Sequence, residues 1–149
     1  MNPRRRRPSP YPAKVFTDTS FLAALIYERD GNHNLAVDIF RSLNTYFVQL
    51  IFTNFIRAET HALLLNRASH YVADRFLASL ANVPSNSLIR VTEADEQKAL
   101  EIISRYNDKD FSITDATSFA VMERLKIDRV LSFDTDFRQY GWTIIDSPL

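Results

Sequence analysis

The chain has 149 residues, 46% of them hydrophobic, a size and composition that suit one globular domain with its own core. Cysteine is absent, which excludes disulfides and thiolate metal sites and agrees with a cytoplasmic protein. Eighteen basic residues balance eighteen acidic ones, but four arginines occupy positions 4–7, and setting them aside leaves 14 basic against 18 acidic, a net charge of −4. A mildly acidic body needs its acids offset before it can approach nucleic acid, and a divalent cation would do that. Only two glycines occur, Gly31 and Gly141, so no glycine-rich loop exists to cradle a phosphate, and dinucleotide fingerprints and P-loops are excluded.

The opening "MNPRRRRPSPYPA" is basic and broken by prolines. It is expected to be a disordered arm over residues 1–13, followed by one domain over 14–149. It lacks the apolar region of a signal peptide, and no apolar run approaches the ~20 residues of a membrane span, so no membrane association is expected. "KVFTD" (14–18) reads as a short strand and "SFLAALIYE" (20–28) as a buried helix, apolar almost all round. "GNHN" breaks the chain before a helix at "LAVDIFRSLNT" (35–45). "FVQLIFT" (47–53) is β-rich, and helices follow at 54–67 and 68–82. "SLIRVT" (87–92) is a strand; Thr92 and Asp95 have capping-box spacing ahead of a helix over 93–106. After the polar loop "NDKDFS", the segment 113–126 is helical, 129–133 is a strand, and "WTIID" (142–146) supplies a last strand. Alternation of strands and helices predicts a three-layer α/β/α fold with a mostly parallel sheet of about five strands.

In such a fold strand C-termini and the N-termini of the following helices share one edge of the sheet, where sites form. Asp18 ends the first strand, Asp134 follows the strand at 129–133, and Asp115 opens the helix after the polar loop. On a helical wheel Glu59 falls among Phe55, Ile56, Ala62 and Leu63, with Arg57, Thr60, His61 and Arg67 on the other side. A buried, unpartnered carboxylate costs several kcal/mol or takes up a proton, and a metal ion would remove that cost. Each acid alone has an ordinary explanation. Asp18, Asp115 and Asp134 read equally as helix caps or first-turn acids, Ser112 and Asp115 again have capping-box spacing, Glu59 can pair with an arginine, and Asp136 can be a turn residue. Their coincidence at one edge argues for a site instead. Oxygen-only ligands suit Mg2+ or Mn2+, while His33, His61 and His70 are scattered and read as solvated surface residues.

Four segments, "VFTDTSFLAALI", "NFIRAETHALLL", "DKDFSITDATSFAVM" and "VLSFDTDF", together resemble the PIN domain, most closely the VapC-type toxin ribonucleases of toxin–antitoxin pairs, over residues 14–146. The resemblance maps the family's acids to Asp18, Glu59, Asp115 and Asp134, and its hydroxyl positions to Thr19 and Ser20. Asp136 stands where many members carry a basic or neutral residue, which leaves it a supporting part. The resemblance implies a Mg2+- or Mn2+-dependent endoribonuclease with a five-stranded parallel sheet, an RNA substrate, a homodimeric state and a small antitoxin partner. Asp18 and Asp115 are expected to ligate the metal directly, Glu59 and Asp134 to ligate it or orient water, and Thr19, Ser20 and Ser132 to support these groups by hydrogen bonds. Two alternatives stand beside this expectation. One is a non-catalytic PIN-like module that binds protein or nucleic acid. The other is a haloacid-dehalogenase-like phosphatase, suggested by the Asp-x-Asp after an apolar strand, with only thirteen residues following Asp136.

Overall fold

The computed structural model describes residues 8–149; the four arginines at 4–7 lie outside the described residues. Five strands, β1 (Lys14–Thr17), β2 (Gln49–Thr53), β3 (Leu88–Ile89), β4 (Arg129–Leu131) and β5 (Thr143–Ile144), form one sheet in the order β3-β2-β1-β4-β5. Every neighbouring pair is parallel. The helices are α1 (Thr19–Ile26), α2 (His33–Thr45), α3 (Asn54–Arg67), α4 (His70–Ser79), α5 (Glu93–Arg105), α6 (Ile113–Leu125) and α7 (Asp136–Tyr140).

Strand β1 shows why the fold has three layers. Successive side chains of a strand point to opposite faces. Val15 packs with Phe21, Ile39 and Leu43 on one side, and Phe16 with Ile56, Phe119 and Phe137 on the other, all fully or almost fully buried. Helix α6 carries seven consecutive buried residues, 116–122, and is the central helix of the larger core. It is tied to α5 by Asp95. The Asp95 carboxylate closes a capping box with Thr92 and accepts two hydrogen bonds from Arg124 of α6, at 3.0 and 2.9 Å. Burial pushes the Asp95 carboxyl up, but the Arg124 and Thr92 hydrogen bonds outweigh it and hold the group below the usual carboxylate range.

Chain order turns around β1, whose neighbours are β2 on one side and β4 on the other. That reversal opens a crevice outside the carboxyl ends of β1 and β4, the place where open α/β sheets bind ligands. Short α7 borders it. Phe137 is fully buried against Phe16 and Phe119, and Tyr140 stacks on Phe119 at 4.4 Å. Gly141, with φ of 120°, closes α7 in a conformation that residues with a Cβ rarely adopt.

The strands expected over 87–92 and 142–146 shorten to Leu88–Ile89 and Thr143–Ile144, and the helix expected over 68–82 to His70–Ser79; three further differences bear on the site and the core. The strand expected over 129–133 stops at Leu131, because Ser132 turns its hydroxyl back to the Asp134 N–H at 3.0 Å and starts a loop. The turn expected at Asp136 is the first residue of α7. Within the expected arm, Tyr11 is buried and edge-on to Tyr46, its hydroxyl 2.6 Å from Ser42 Oγ and accepting from the Leu149 N–H at 2.7 Å. Proline and arginine content had favoured disorder there, but an aromatic ring with a satisfied hydroxyl can join a core.

Truncating Tyr11 to Ala is expected to lower unfolding free energy by about 3 kcal/mol, and Tyr11→Phe by about 1 kcal/mol, read as urea midpoints. A Tyr11→Ala midpoint equal to the parent's would show that the ring does not pack.

Candidate metal centre

The site is built around Asp18, the residue between β1 and α1. Its N–H donates to the Leu131 carbonyl at 3.0 Å, so β1 and β4 stay paired up to the crevice. Asp18 is the N-cap of α1, yet its carboxylate makes no side-chain cap hydrogen bond. It turns to two hydroxyls instead. Ser20 Oγ donates to Oδ2 at 3.0 Å, and Ser132 Oγ donates to the same oxygen at 2.9 Å. The two serines stand 3.2 Å apart, and Ser20 also accepts from the Phe133 N–H at 3.0 Å. This net fixes one carboxylate oxygen and ties the ends of β1 and β4 together.

Asp18 is 5% exposed. Burial pushes its carboxyl up to about 6; the Ser132 and Ser20 hydrogen bonds pull it back, and the charge of Asp115 raises it further. Asp115 is held as the third residue of α6 by a capping box with Ser112, accepting from the Ser112 N–H at 2.9 Å. Its cap role and its site role therefore coexist, because a carboxylate has a second oxygen to offer. Burial raises the Asp115 carboxyl above its ordinary value, against the Ser112 hydrogen bonds, and the charges of Asp134 and Glu59 add to the rise. Asp134 is exposed and accepts from the Asp136 N–H at 3.2 Å.

Asp136 is a closer member than its sequence position implied. Burial, then the charges of Asp134 and Asp115, then hydrogen bonding shared with both, push its carboxyl up to about 6. These neighbours place its side chain beside two of the other acids. The anchor is Phe137: a buried ring one residue on leaves Asp136 at the rim.

Glu59 does reach the crevice, although the helical wheel is rotated from the expected one. Ile56, Thr60 and Leu64 form the buried stripe of α3, and Ala62 is exposed. Glu59, Leu63 and Arg67, at i, i+4 and i+8, line the crevice. Arg67 was expected on the opposite side; the same spacing that selects Glu59 would have found it. Thr60 reads as polar in a wheel, yet its methyl allows full burial, and its hydroxyl has no partner among the described residues. Asp30 and Asn32, from the loop between α1 and α2, also line the crevice, without a sequence signal for it. Thr19 does not donate to the acids: its hydroxyl is buried at the crevice wall with no partner among the described residues. His33 is half-buried rather than solvated, its Nδ1 2.7 Å from the Ala24 carbonyl.

The crevice has a volume of about 490 Å³. Its donors are oxygens of Asp18, Asp115, Asp134 and Glu59, a set that fits a hard divalent cation. Two observations fit such an ion: burial, with the charges of neighbouring acids adding to it, raises the Asp18 and Asp115 carboxyls, and the Thr19 hydroxyl has no partner among the described residues. Among the described residues, no three acids or imidazoles gather tightly enough to enclose an ion. A wide crevice still suits Mg2+, which keeps several waters and commonly takes one or two carboxylates.

A family model described as the PIN domain matches residues 15–143. The 23S rRNA-specific endonuclease VapC20 of Mycobacterium tuberculosis is 34% identical over 131 residues, covering 86% of this chain and 95% of that protein. The VapC ribonuclease of Archaeoglobus fulgidus is 32% identical over 122 residues, covering 80% of this chain and 76% of that protein. In three dimensions the chain matches the crystal structure of M. tuberculosis VapC20, a sarcin–ricin-loop-cleaving toxin, with a TM-score of 0.80 and 31% identity over 89% of this chain and 98% of that one. It shares its fold with a chain of a toxin–antitoxin complex from Klebsiella pneumoniae, at a TM-score of 0.65 and 14% identity, covering 91% and 99% of the two chains. With the family model spanning both ends of the sheet and the VapC relatives matched over most of their length, the chain belongs to the PIN-domain family, among its VapC-type members.

Proposed function

We propose that the protein is a divalent-metal-dependent endoribonuclease, the toxin of a toxin–antitoxin pair, that hydrolyses RNA phosphodiester bonds with water. The observation that carries this reading is the buried Asp18 carboxylate, clamped by Ser20 and Ser132 and facing Asp115, in a family whose named relatives are ribonucleases.

Asp18 and Asp115 would hold Mg2+ or Mn2+, with Glu59 and Asp134 as further ligands or as acceptors that orient water. When bound, such an ion supplies charge neutralisation and a more acidic water. The remaining roles fall to the chain. Ser20 and Ser132 keep one oxygen of Asp18 occupied, so the other stays directed by a fixed carboxylate plane. The Asp136 carboxyl, raised to about 6 among Asp134 and Asp115, is suited to take or release a proton near neutral pH. Arg67 brings a positive charge to the same crevice, where a phosphate needs one.

An antitoxin has a fitting surface elsewhere. An apolar groove of about 360 Å³, lined by residues including Leu22, Leu25, Phe40, Phe76 and Leu80, lies along α1, α2 and α4. Phe40, Leu35 and Leu77 expose more than a third of their surface. A cytoplasmic RNA substrate accords with the reading, and among the described residues no helix is long and apolar enough to cross a membrane. A homodimer is proposed on the family resemblance.

Cleavage of a labelled RNA is expected with Mg2+ or Mn2+ and to stop with EDTA. Asp18→Asn and Asp115→Asn are each expected to lower the rate at least a hundredfold, while Asp136→Asn keeps part of it and shifts the acid limb of the pH–rate profile. If Asp18→Asn and Asp115→Asn cut as well as the parent, the nuclease reading fails and a binding module takes its place.

The same acids should depress stability without metal. Folded Asp18 holds its proton up to about 6, while the unfolded chain releases it near 3.8. The folded state thus binds more protons in that window, and stability falls as pH rises through it. Above about pH 7, Asp18→Asn is expected to stabilise the EDTA-treated protein by about 2–3 kcal/mol, raising the thermal midpoint by roughly 5 °C or more. Adding Mg2+ should raise the parent's midpoint and leave the variant's unchanged. A variant less stable than the parent at pH 8 without metal would contradict this.

A further inference from the structure

Resting on the ribonuclease reading, we infer that the crevice continues into a strand-binding trough in which a substrate base stacks on Tyr71 and adjacent phosphates lie along Arg67, Arg29 and Arg75. The two walls of the crevice run on together. On one wall, α1 begins at the Asp18 carboxylate, shows Ala23 to the metal crevice, and one turn later shows Ile26 and Tyr27 to a second cavity of about 240 Å³. On the other, Glu59, Leu63 and Arg67 of α3 line the crevice, and Tyr71, Val72 and Arg75 of α4 line the second cavity. The loop between α1 and α2 is shared, with Arg29 in the second cavity and Asp30 and Asn32 in the first. His33, bonded through Nδ1 to the Ala24 carbonyl, pins that loop to α1. Since α1 has eight residues, it is about 12 Å long, a reach that one RNA strand held at the acids covers easily.

Chemistry changes sign along this path. Acids dominate the metal end, where a cation is needed. Arg67 lines the metal crevice on the α3 side, Arg29 and Arg75 line the second cavity, and among the described residues none of the three is in an ion pair. Among the described residues Glu28 is the one acid lining the second cavity, and the nearby Asp74 lies 3.0 Å from His70 Nε2. Tyr71 is 69% exposed, with the Arg75 guanidinium 5.8 Å from its ring centroid. An exposed ring braced by an arginine, beside unpaired cations, is the composition that holds single-stranded nucleic acid by stacking and phosphate contact. The core does not account for Tyr71: its neighbours Ala73 and Phe76 are the buried residues of α4.

The test uses a fluorescein-labelled single-stranded RNA of mixed sequence. Binding is followed by anisotropy on the full chain carrying Asp115→Asn, and cleavage is followed on chains with Asp115 intact. Tyr71→Ala and Arg75→Ala are expected to weaken binding about tenfold and to raise KM with kcat little changed, whereas Tyr71→Phe retains both. Arg67→Ala and Arg29→Ala are each expected to weaken binding and flatten its salt dependence. If Tyr71→Ala and Arg75→Ala bind RNA like the parent, the trough is overturned while metal-dependent cleavage by the parent keeps the nuclease reading. Loss of protein self-association with RNA affinity unchanged overturns it equally, by making Tyr71 a protein contact. If the chain never cleaves but its RNA binding depends on Tyr71 and Arg75, the trough stands and the nuclease reading falls.

Discussion

The structure depends on a carboxylate kept where water would not leave it. Asp18 sits at the point where the strand order of the parallel sheet reverses, with one oxygen held by two serines, one in the first turn of α1 and one just past the end of β4. Ser20 comes from the start of α1 and Ser132 directly follows β4, so the net that orients the acid also ties together the ends of β1 and β4, outside which the crevice opens. The cost is electrostatic. A buried carboxylate facing Asp115 destabilises its own ionised form, and the fold tolerates this because the surrounding core is extensive and polar support is local. Active sites commonly carry strain of this kind, and a bound cation relieves it.

Packing explains how the other acids arrive. Asp115 is placed by the capping box of α6, whose next seven residues are buried without a break, so the helix has little freedom to shift. Asp134 and Asp136 flank a loop nailed down by Phe137 in the aromatic cluster around Phe119. Glu59 rides on α3 at the edge of the stripe that buries Ile56, Thr60 and Leu64. Asp18, Glu59, Asp115 and Asp136 are thus set by strand ends and helices, while loops contribute Asp134 and the polar lining of Asp30 and Asn32.

The parallel sheet and most helices were legible in the sequence because alternation of short apolar strands with amphipathic or apolar helices leaves few other arrangements. Asp18, Asp115 and Asp134 were legible for the same reason: the ends of parallel strands share an edge. What escaped was decided by tertiary contact. Tyr11 lies in a stretch whose composition favours disorder, and only its contacts with Ser42, Tyr46 and the Leu149 N–H reveal it as core. Thr60 was placed outside by polarity, which rotated the expected face of α3 and hid Arg67. Helix α7 has five residues, too few for a period to show. The closeness of Asp136 to Asp115 depends on how that helix docks, and no spacing along the chain encodes it.

Divalent-ion binding is the central claim, and it can be read without any RNA. Electron paramagnetic resonance of free Mn2+, titrated against the full chain near pH 7.5, measures binding directly. The account predicts that the parent removes free Mn2+ from solution, that Mg2+ displaces it, and that the double variant Asp18→Asn, Asp115→Asn leaves Mn2+ free at the same concentrations. Equal binding by the parent and the double variant would contradict it.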